Sequence, residues 1–219
     1  MTVQQGDFIQ IDYTGTDADT NTVFDTTQRA VAKEHNILNP NMAYEPLILC
    51  VGEGHILPGL EKQLINAEIG STQTIRLEPE EGFGKKRSDL LKLMPKKLFD
   101  KQQLRIYPGL EVSVDNQRGV IKSISGNRVI VDFNHPLASH TLSYTITIHK
   151  KITDVQAQVQ TLVQQQLRAP VSVTVTEQVA NIEFMILLPE PIQEQLTTLI
   201  TTKTAIKKVT YSVPEKKKA

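Results

Sequence analysis

The sequence predicts an α+β protein built mainly on antiparallel strands. Two distant segments, "DFIQIDYTG" near the start and "HTLSYTITIHK" from His140, alternate apolar and polar residues as half-buried strands do. Between them lie one short helical pattern, "LPGLEKQLINAEIG", and a series of short strands split by turns. After Thr153 the texture changes to helix, two strands, helix and strand.

Each element has its own signal. In the first strand Ile9, Ile11 and Tyr13 share a face. "NTVFD" is a short second strand ending at Asp25, and residues 26–44 form a long excursion with a helical turn, "TQRAVAKEHN", followed by the loop "NPNMAYEP". Long loops often carry function. "PLILCVG" is a β-type run. In the helix that follows, Leu57, Leu60, Leu64 and Ile65 have helical spacing, Pro58 fits the first turn, and Gly70 is expected just past the end. "STQTIRLEP" returns as a strand. From Lys85 the chain is basic and apolar together, and then "LEVSVD", "GVIKSIS" and "RVIVDF" read as strands with turns at "NQRG" and "SGN". In the last strand before Thr153, Leu142, Tyr144, Ile146 and Ile148 share a face. "DVQAQVQTLVQQQLR" puts Val155, Val159, Leu162, Val163 and Leu167 on one helical stripe, with Asp154 or Thr153 as N-cap. Strands at "VSVTVTE" and "ANIEFMILL", a helix opened by Pro191 and a strand at "IKKVTYSV" complete the chain, and "EKKKA" reads as a solvated tail.

Composition excludes several classes. Across 219 residues, 24 Lys and Arg balance 24 Asp and Glu, which leaves no electrostatic footprint for nucleic acid or an acidic membrane. The single cysteine, Cys50, rules out an intramolecular disulfide framework and lies in an apolar run, as an inert thiol does. No apolar run approaches the roughly 18 residues of a membrane span, and the start has no signal-peptide pattern. A cytoplasmic protein is expected. His35, His55, His135, His140 and His149 lack zinc-site spacing, so no metal and no cofactor are expected.

The stretch "VGEGHILPGLEKQL" poses the functional question. Gly54 and Gly59 have P-loop spacing, but Leu60 and Glu61 follow where Lys and Ser or Thr are required. Ile56, Leu57 and Leu60 occupy positions where a phosphate site needs bare backbone. The turn is built to deliver apolar side chains.

"VGEGHILPGLE" also resembles the signature turn and helix start of FKBP-type peptidyl-prolyl isomerases. "QIDYTG", "VFD", "EPEEGFG" and "HTLSYTITI" match that family's other pocket segments in order. The insertion beginning near Lys85 and rejoining at "VDFNHPLA" is similar to the insert-in-flap domain of SlyD-type members. The 26–44 excursion and the appended C-terminal unit make the chain look like the long archaeal form.

The resemblance implies a half-barrel antiparallel sheet wrapped on a short helix, in a discontinuous isomerase domain at 1–85 and 134–153. A small β-rich insert-in-flap domain at 86–133 and a C-terminal αββαβ domain at 154–219 complete it. It implies catalytic roles for Tyr13, Asp25, Leu57, Phe83 and Tyr144, with the Leu57 N–H holding a substrate carbonyl. Phe24, Leu47, Leu49, Ile56 and Leu60 would bind substrate, Leu60 as the floor. Leu60 stands where many members have tryptophan, and Phe83 where many have tyrosine. Taken singly, Tyr13, Tyr144, Leu47 and Leu49 read as core and Asp25 as a turn residue; the ordered set carries the functional reading. In the insert, Leu90, Leu93, Met94, Leu98 and Phe99, with lysines interleaved, suit unfolded-chain binding. The competing reading is an amphipathic helix covering its own small sheet. The implied partners are unfolded or proline-containing polypeptides. For 154–219, homodimerisation and further client contact both stay open. Two functions remain: a foldase that turns over X–Pro bonds, and a holdase that keeps the fold without turnover.

Overall fold

The structure, a computed structural model, describes residues 1–100, 105–167, 169, 171–184 and 188–213. The expected tail "EKKKA" and residues 185–187 of "ANIEFMILL" lie outside them. In chain order the first elements are β1 (Phe8–Asp17), β2 (Thr22–Thr26), α1 (Arg29–Glu34), β3 (Leu47–Cys50), α2 (Pro58–Leu64) and β4 (Thr72–Leu77). Next come β5 (Leu91–Pro95), α3 (Lys97–Asp100), β6 (Glu111–Val114), β7 (Gln117–Ser125), β8 (Arg128–Asp132) and β9 (Leu142–Lys151). The last are α4 (Val155–Leu167), β10 (Ser172–Thr176), β11 (Val179–Glu183), α5 (Glu190–Lys203) and β12 (Lys208–Ser212). The fold is α+β with mainly antiparallel sheets. The chain divides into two compact units, one of residues 1–16, 21–76 and 143–219, the other of residues 17–20 and 77–142.

In the first unit β2, β1, β9 and β4 lie in that order, and β3 pairs antiparallel with the start of β1. The register sets Ile9 opposite Leu49, Ile11 opposite Leu47, and Phe8 opposite Cys50. Period-two alternation then separates the faces. Ile9, Ile11, Tyr13, Leu47 and Leu49 share one face. Phe8, Ile48 and Cys50 share the other, where they join a buried cluster with Val159, Leu162, Val163, Ile182, Leu196 and Ile200. The C-terminal elements therefore share a core with β1 and β3.

α4 forms as its stripe predicts: Val159, Leu162 and Val163 are buried, and Val155 and Leu167 pack at the edge. Asp154 is its cap, accepting a hydrogen bond from the Ala157 N–H at 2.9 Å. β10 and β11 form a hairpin, and β12 joins β11 in parallel, with α5 as the crossover that a parallel pair requires. α2 starts at Pro58 and buries Leu60 and Leu64, but it ends earlier than expected. Ile65 is already extended and Asn66 has φ 68°, so Asn66 makes the reversal assigned to Gly70.

The second unit holds an antiparallel sheet in the order β5, β8, β7, β6. Phe99, Val112, Ile121, Val129 and Val131 form its core. Two expectations change here. "LKLMP" is an edge strand paired with β8, not part of an amphipathic helix. Its alternation is inverted: Met94 packs on the core and the Lys92 ammonium sits 5.7 Å from the Phe133 ring centre, while Leu91 and Leu93 face solvent. The β6–β7 turn is Asp115–Asn116, both at positive φ, so "QRG" is strand. Gly119 is needed for packing: a Cβ there would lie 2.8 Å from Phe133 and Val131 side-chain atoms.

Candidate functional site

The site in the first unit grows from β1. Tyr13 projects from the face shared with Ile9 and Ile11, and its hydroxyl donates to Asp25 Oδ2 at 2.9 Å. Threonines fix that corner. Thr27 Oγ1 accepts from the Tyr13 N–H at 3.0 Å, and the Thr27 N–H donates back to the Tyr13 carbonyl at 3.1 Å. Thr27 also donates to Asp12 at 2.6 Å, and Asp12 bonds His149 Nε2 at 2.8 Å. Burial, and then the nearby Asp25 charge, push the Tyr13 phenol well above its usual range, so it stays a donor. Tyr144 is raised too, again first by burial.

The aromatic wall is built around Tyr144. Its ring centre lies 6.1 Å from Tyr13 and 5.7 Å from Phe24, the latter edge-on at 84°. Gly15 makes this possible and was not singled out from the sequence. A Cβ at Gly15 would lie 2.8 Å from Phe24 and 2.9 Å from Tyr144 ring atoms. The available signal was a glycine inside a strand, which marks close approach by another group. Gly15→Ala is expected to push the two rings apart and lower kcat/KM for an X–Pro peptide by about threefold to fivefold. A peptide isomerisation assay on the folded variant checks this, and an unchanged rate would show that the ring pair is not part of the site.

The turn between β3 and α2 carries Ile56 and Leu57. Gly52 and Gly54 have φ of 93° and 69°, the region glycine tolerates. Cys50 N–H donates to His55 Nδ1 at 3.1 Å, and Gly54 N–H donates to Glu61 at 3.0 Å. Burial depresses the His55 pKa, which keeps Nδ1 free to accept. Leu57 is the N-cap of α2, and its carbonyl accepts from Leu60 and Glu61. None of the described residues accepts a hydrogen bond from the Leu57 N–H. Leu49 and Leu60 are buried, while Leu47, Ile56 and Leu57 are half-buried. Burial, then the Glu53 charge, push the buried Cys50 thiol up to about 11, so it is no nucleophile at neutral pH.

In the second unit Phe83 stacks on His135 with ring centres 4.0 Å apart. Leu93 is 59% and Leu98 42% exposed, Leu90 is half-buried and Met94 packs on the core. Phe99, expected among client-contacting residues, is instead 1% exposed, because its ring is buried in the small core with Val112, Ile121, Val129 and Val131. Leu91 and Tyr107 add exposed apolar surface. Asp17, Asp19 and His140 bring ligand-type atoms within 4.8 Å of one another. Asp17 Oδ1 accepts from the Asp19 N–H, and Oδ2 is bonded by Thr20 and His140, so the group is a loop clasp.

The first unit thus holds an aromatic ring pair next to a phenol–carboxylate pair, and a glycine turn whose Leu57 N–H none of the described residues accepts. Residues 92–137 match the family model "FKBP26, IF domain". The short-type peptidyl-prolyl cis-trans isomerase of Methanocaldococcus jannaschii is 32% identical over 154 residues, which cover 70% of this chain and 94% of that protein. The FKBP-type peptidyl-prolyl cis-trans isomerase SlyD of Helicobacter pylori is 36% identical over 118 residues, covering 52% of this chain and 63% of its own length. The FKBP-type 16 kDa peptidyl-prolyl cis-trans isomerase of Escherichia coli is 29% identical over 110 residues, 48% of this chain and 72% of its own. The chain belongs to the FKBP-type, SlyD-like peptidyl-prolyl cis-trans isomerases.

Proposed function

We propose that this protein accelerates isomerisation of X–Pro bonds in unfolded clients by binding them in an apolar pocket, without a covalent intermediate. Rotation about the amide breaks resonance and carries a barrier of roughly 18–20 kcal/mol. The planar amide is the more dipolar form, so an apolar site disfavours it relative to the twisted transition state. Tyr13, Asp25, Leu57 and Tyr144 carry the reaction. The Leu57 N–H holds a substrate carbonyl, and the Tyr13–Asp25 pair orients the peptide. Phe24, Leu47, Leu49, Ile56 and Leu60 shape the apolar surface, with Leu60 as floor. Phe83 enters on the family resemblance alone. The observation that carries this reading is the 2.9 Å Tyr13–Asp25 bond beside the Tyr144–Phe24 ring pair.

The isomerase domain comprises 1–85 and 134–153, a half-barrel on the short helix α2; 86–133 is a client-holding insert, and 154–219 is the C-terminal domain. The buried thiol of Cys50 suits a cytoplasmic protein, and balanced charge disfavours nucleic acid as a partner. The test is a proline-limited refolding assay. An isomerase speeds the slow phase at substoichiometric concentration, whereas a holdase slows it; slowing alone would overturn the proposal.

A further inference from the structure

We infer that Lys203, at the C-terminal end of α5, is a positioning residue that sets how the Val51–Leu57 turn presents Ile56 and Leu57 to substrate. This rests on the role proposed above for that turn. The Lys203 ammonium lies 2.5 Å from Glu53 Oε1, with the two side chains 32% and 18% exposed.

The backbone explains why such a tether matters. Glu53 sits between Gly52 and Gly54, both at positive φ, in the most permissive backbone available. Bonds around it fall into two sets. The Cys50–His55 and Gly54–Glu61 bonds close the turn on itself and on α2. Val51 is tied to the start of β1 through Gly6 and Asp7. Among the described residues, the Glu53–Lys203 pair is the polar tether from the turn to the C-terminal elements. α5 is itself anchored, since Leu196 and Ile200 lie in the core shared with Phe8 and Cys50. The helix is thus a fixed post against which a flexible, glycine-flanked carboxylate is held. A partly exposed pair of this kind adds little to global stability. Its effect is local: without Lys203 the carboxylate is left unpaired near the buried Cys50 and His55 and turns toward water, taking the glycine-flanked backbone with it.

The test uses the full-length protein. Lys203→Met should lower kcat/KM for an X–Pro peptide by about threefold. Its Tm should stay within about 2 °C of the parent. The Leu57 and Gly54 amide resonances should move in the substrate-free protein. Lys203→Arg keeps the charge and should stay near the parent rate. Glu53→Lys should be impaired alone, and the reversed pair Glu53→Lys with Lys203→Glu should recover most of the loss. A merely structural contact predicts losses of rate that follow losses of Tm, with the Leu57 and Gly54 amides unmoved. A full rate for Lys203→Met, or a reversed pair no better than either single variant, overturns the inference. Asp25→Ala run in parallel separates the two readings. If it too leaves the rate unchanged, the pocket reading fails; if it alone is slow, only the positioning role fails.

Discussion

Asp25→Ala is expected to lower kcat/KM for a short X–Pro peptide by about tenfold or more, equivalent to about 1.4 kcal/mol of transition-state stabilisation. The carboxylate accepts the Tyr13 hydroxyl at 2.9 Å. Burial and the Asp25 charge together keep that phenol protonated. Removing the acceptor leaves a partly buried O–H with no charged partner and frees the ring next to Tyr144. Such a group costs about 1–3 kcal/mol to leave unsatisfied, so the loss exceeds that of the bond itself. Tyr13→Phe removes the other half while keeping the ring, and should cost less. The double variant should be no worse than Asp25→Ala, because both changes remove the same interaction. Additive losses would mean that the two residues act separately, and unchanged rates in both folded single variants would remove them from the site.

Much of this site was legible because period-two alternation is a strong signal. Ile9, Ile11 and Tyr13 share a face, and so do Leu142, Tyr144 and Ile146, as the apolar pattern requires. The glycine turn was legible by exclusion: Leu60 and Glu61 stand where a phosphate loop needs Lys and a hydroxyl. What could not be read was distance. Gly15 looks like any strand glycine until Phe24 and Tyr144 converge on it. Gly119 resembles a turn residue until β7 packs against Phe133. "LLKLMPKKLF" failed for a different reason. Met94 packs on the core and the Lys92 ammonium lies over the Phe133 ring, while Leu91 and Leu93 are exposed, so polarity and burial run opposite to the usual rule. The core shared by α4 and α5 with Phe8 and Cys50 was also hidden. An amphipathic stripe states that a face is buried but not against what.

That inverted strand bears on the second large effect. Replacing 86–133 with a short glycine linker should leave the peptide rate within about twofold of the parent, because loop-closure entropy grows slowly with length. Two observations favour a clean excision. At the ends of the segment the Arg87 N–H donates to the Asn134 side chain at 2.8 Å, and the Asn134 amide donates to the Arg87 carbonyl at 3.0 Å. The segment also takes its own core with it, since Phe99, Val112, Ile121, Val129 and Val131 all lie inside it. Catalysis of an unfolded protein should behave differently. Leu93 at 59%, Tyr107 at 55% and Leu98 at 42% exposure offer apolar surface that a client can occupy. Tethered in the same chain, that surface raises the client's effective concentration at the pocket, and its loss should slow catalysed refolding by about thirtyfold or more. The measurement is a pair of rate constants, on peptide and on protein, for intact and excised chains. Should the excised chain fail to fold, Leu93→Ser with Leu98→Ser tests the same surface in the intact fold, since neither side chain lies in the core. Equal losses on both substrates, or a loss on the peptide alone, would mean that the outward leucines hold no client.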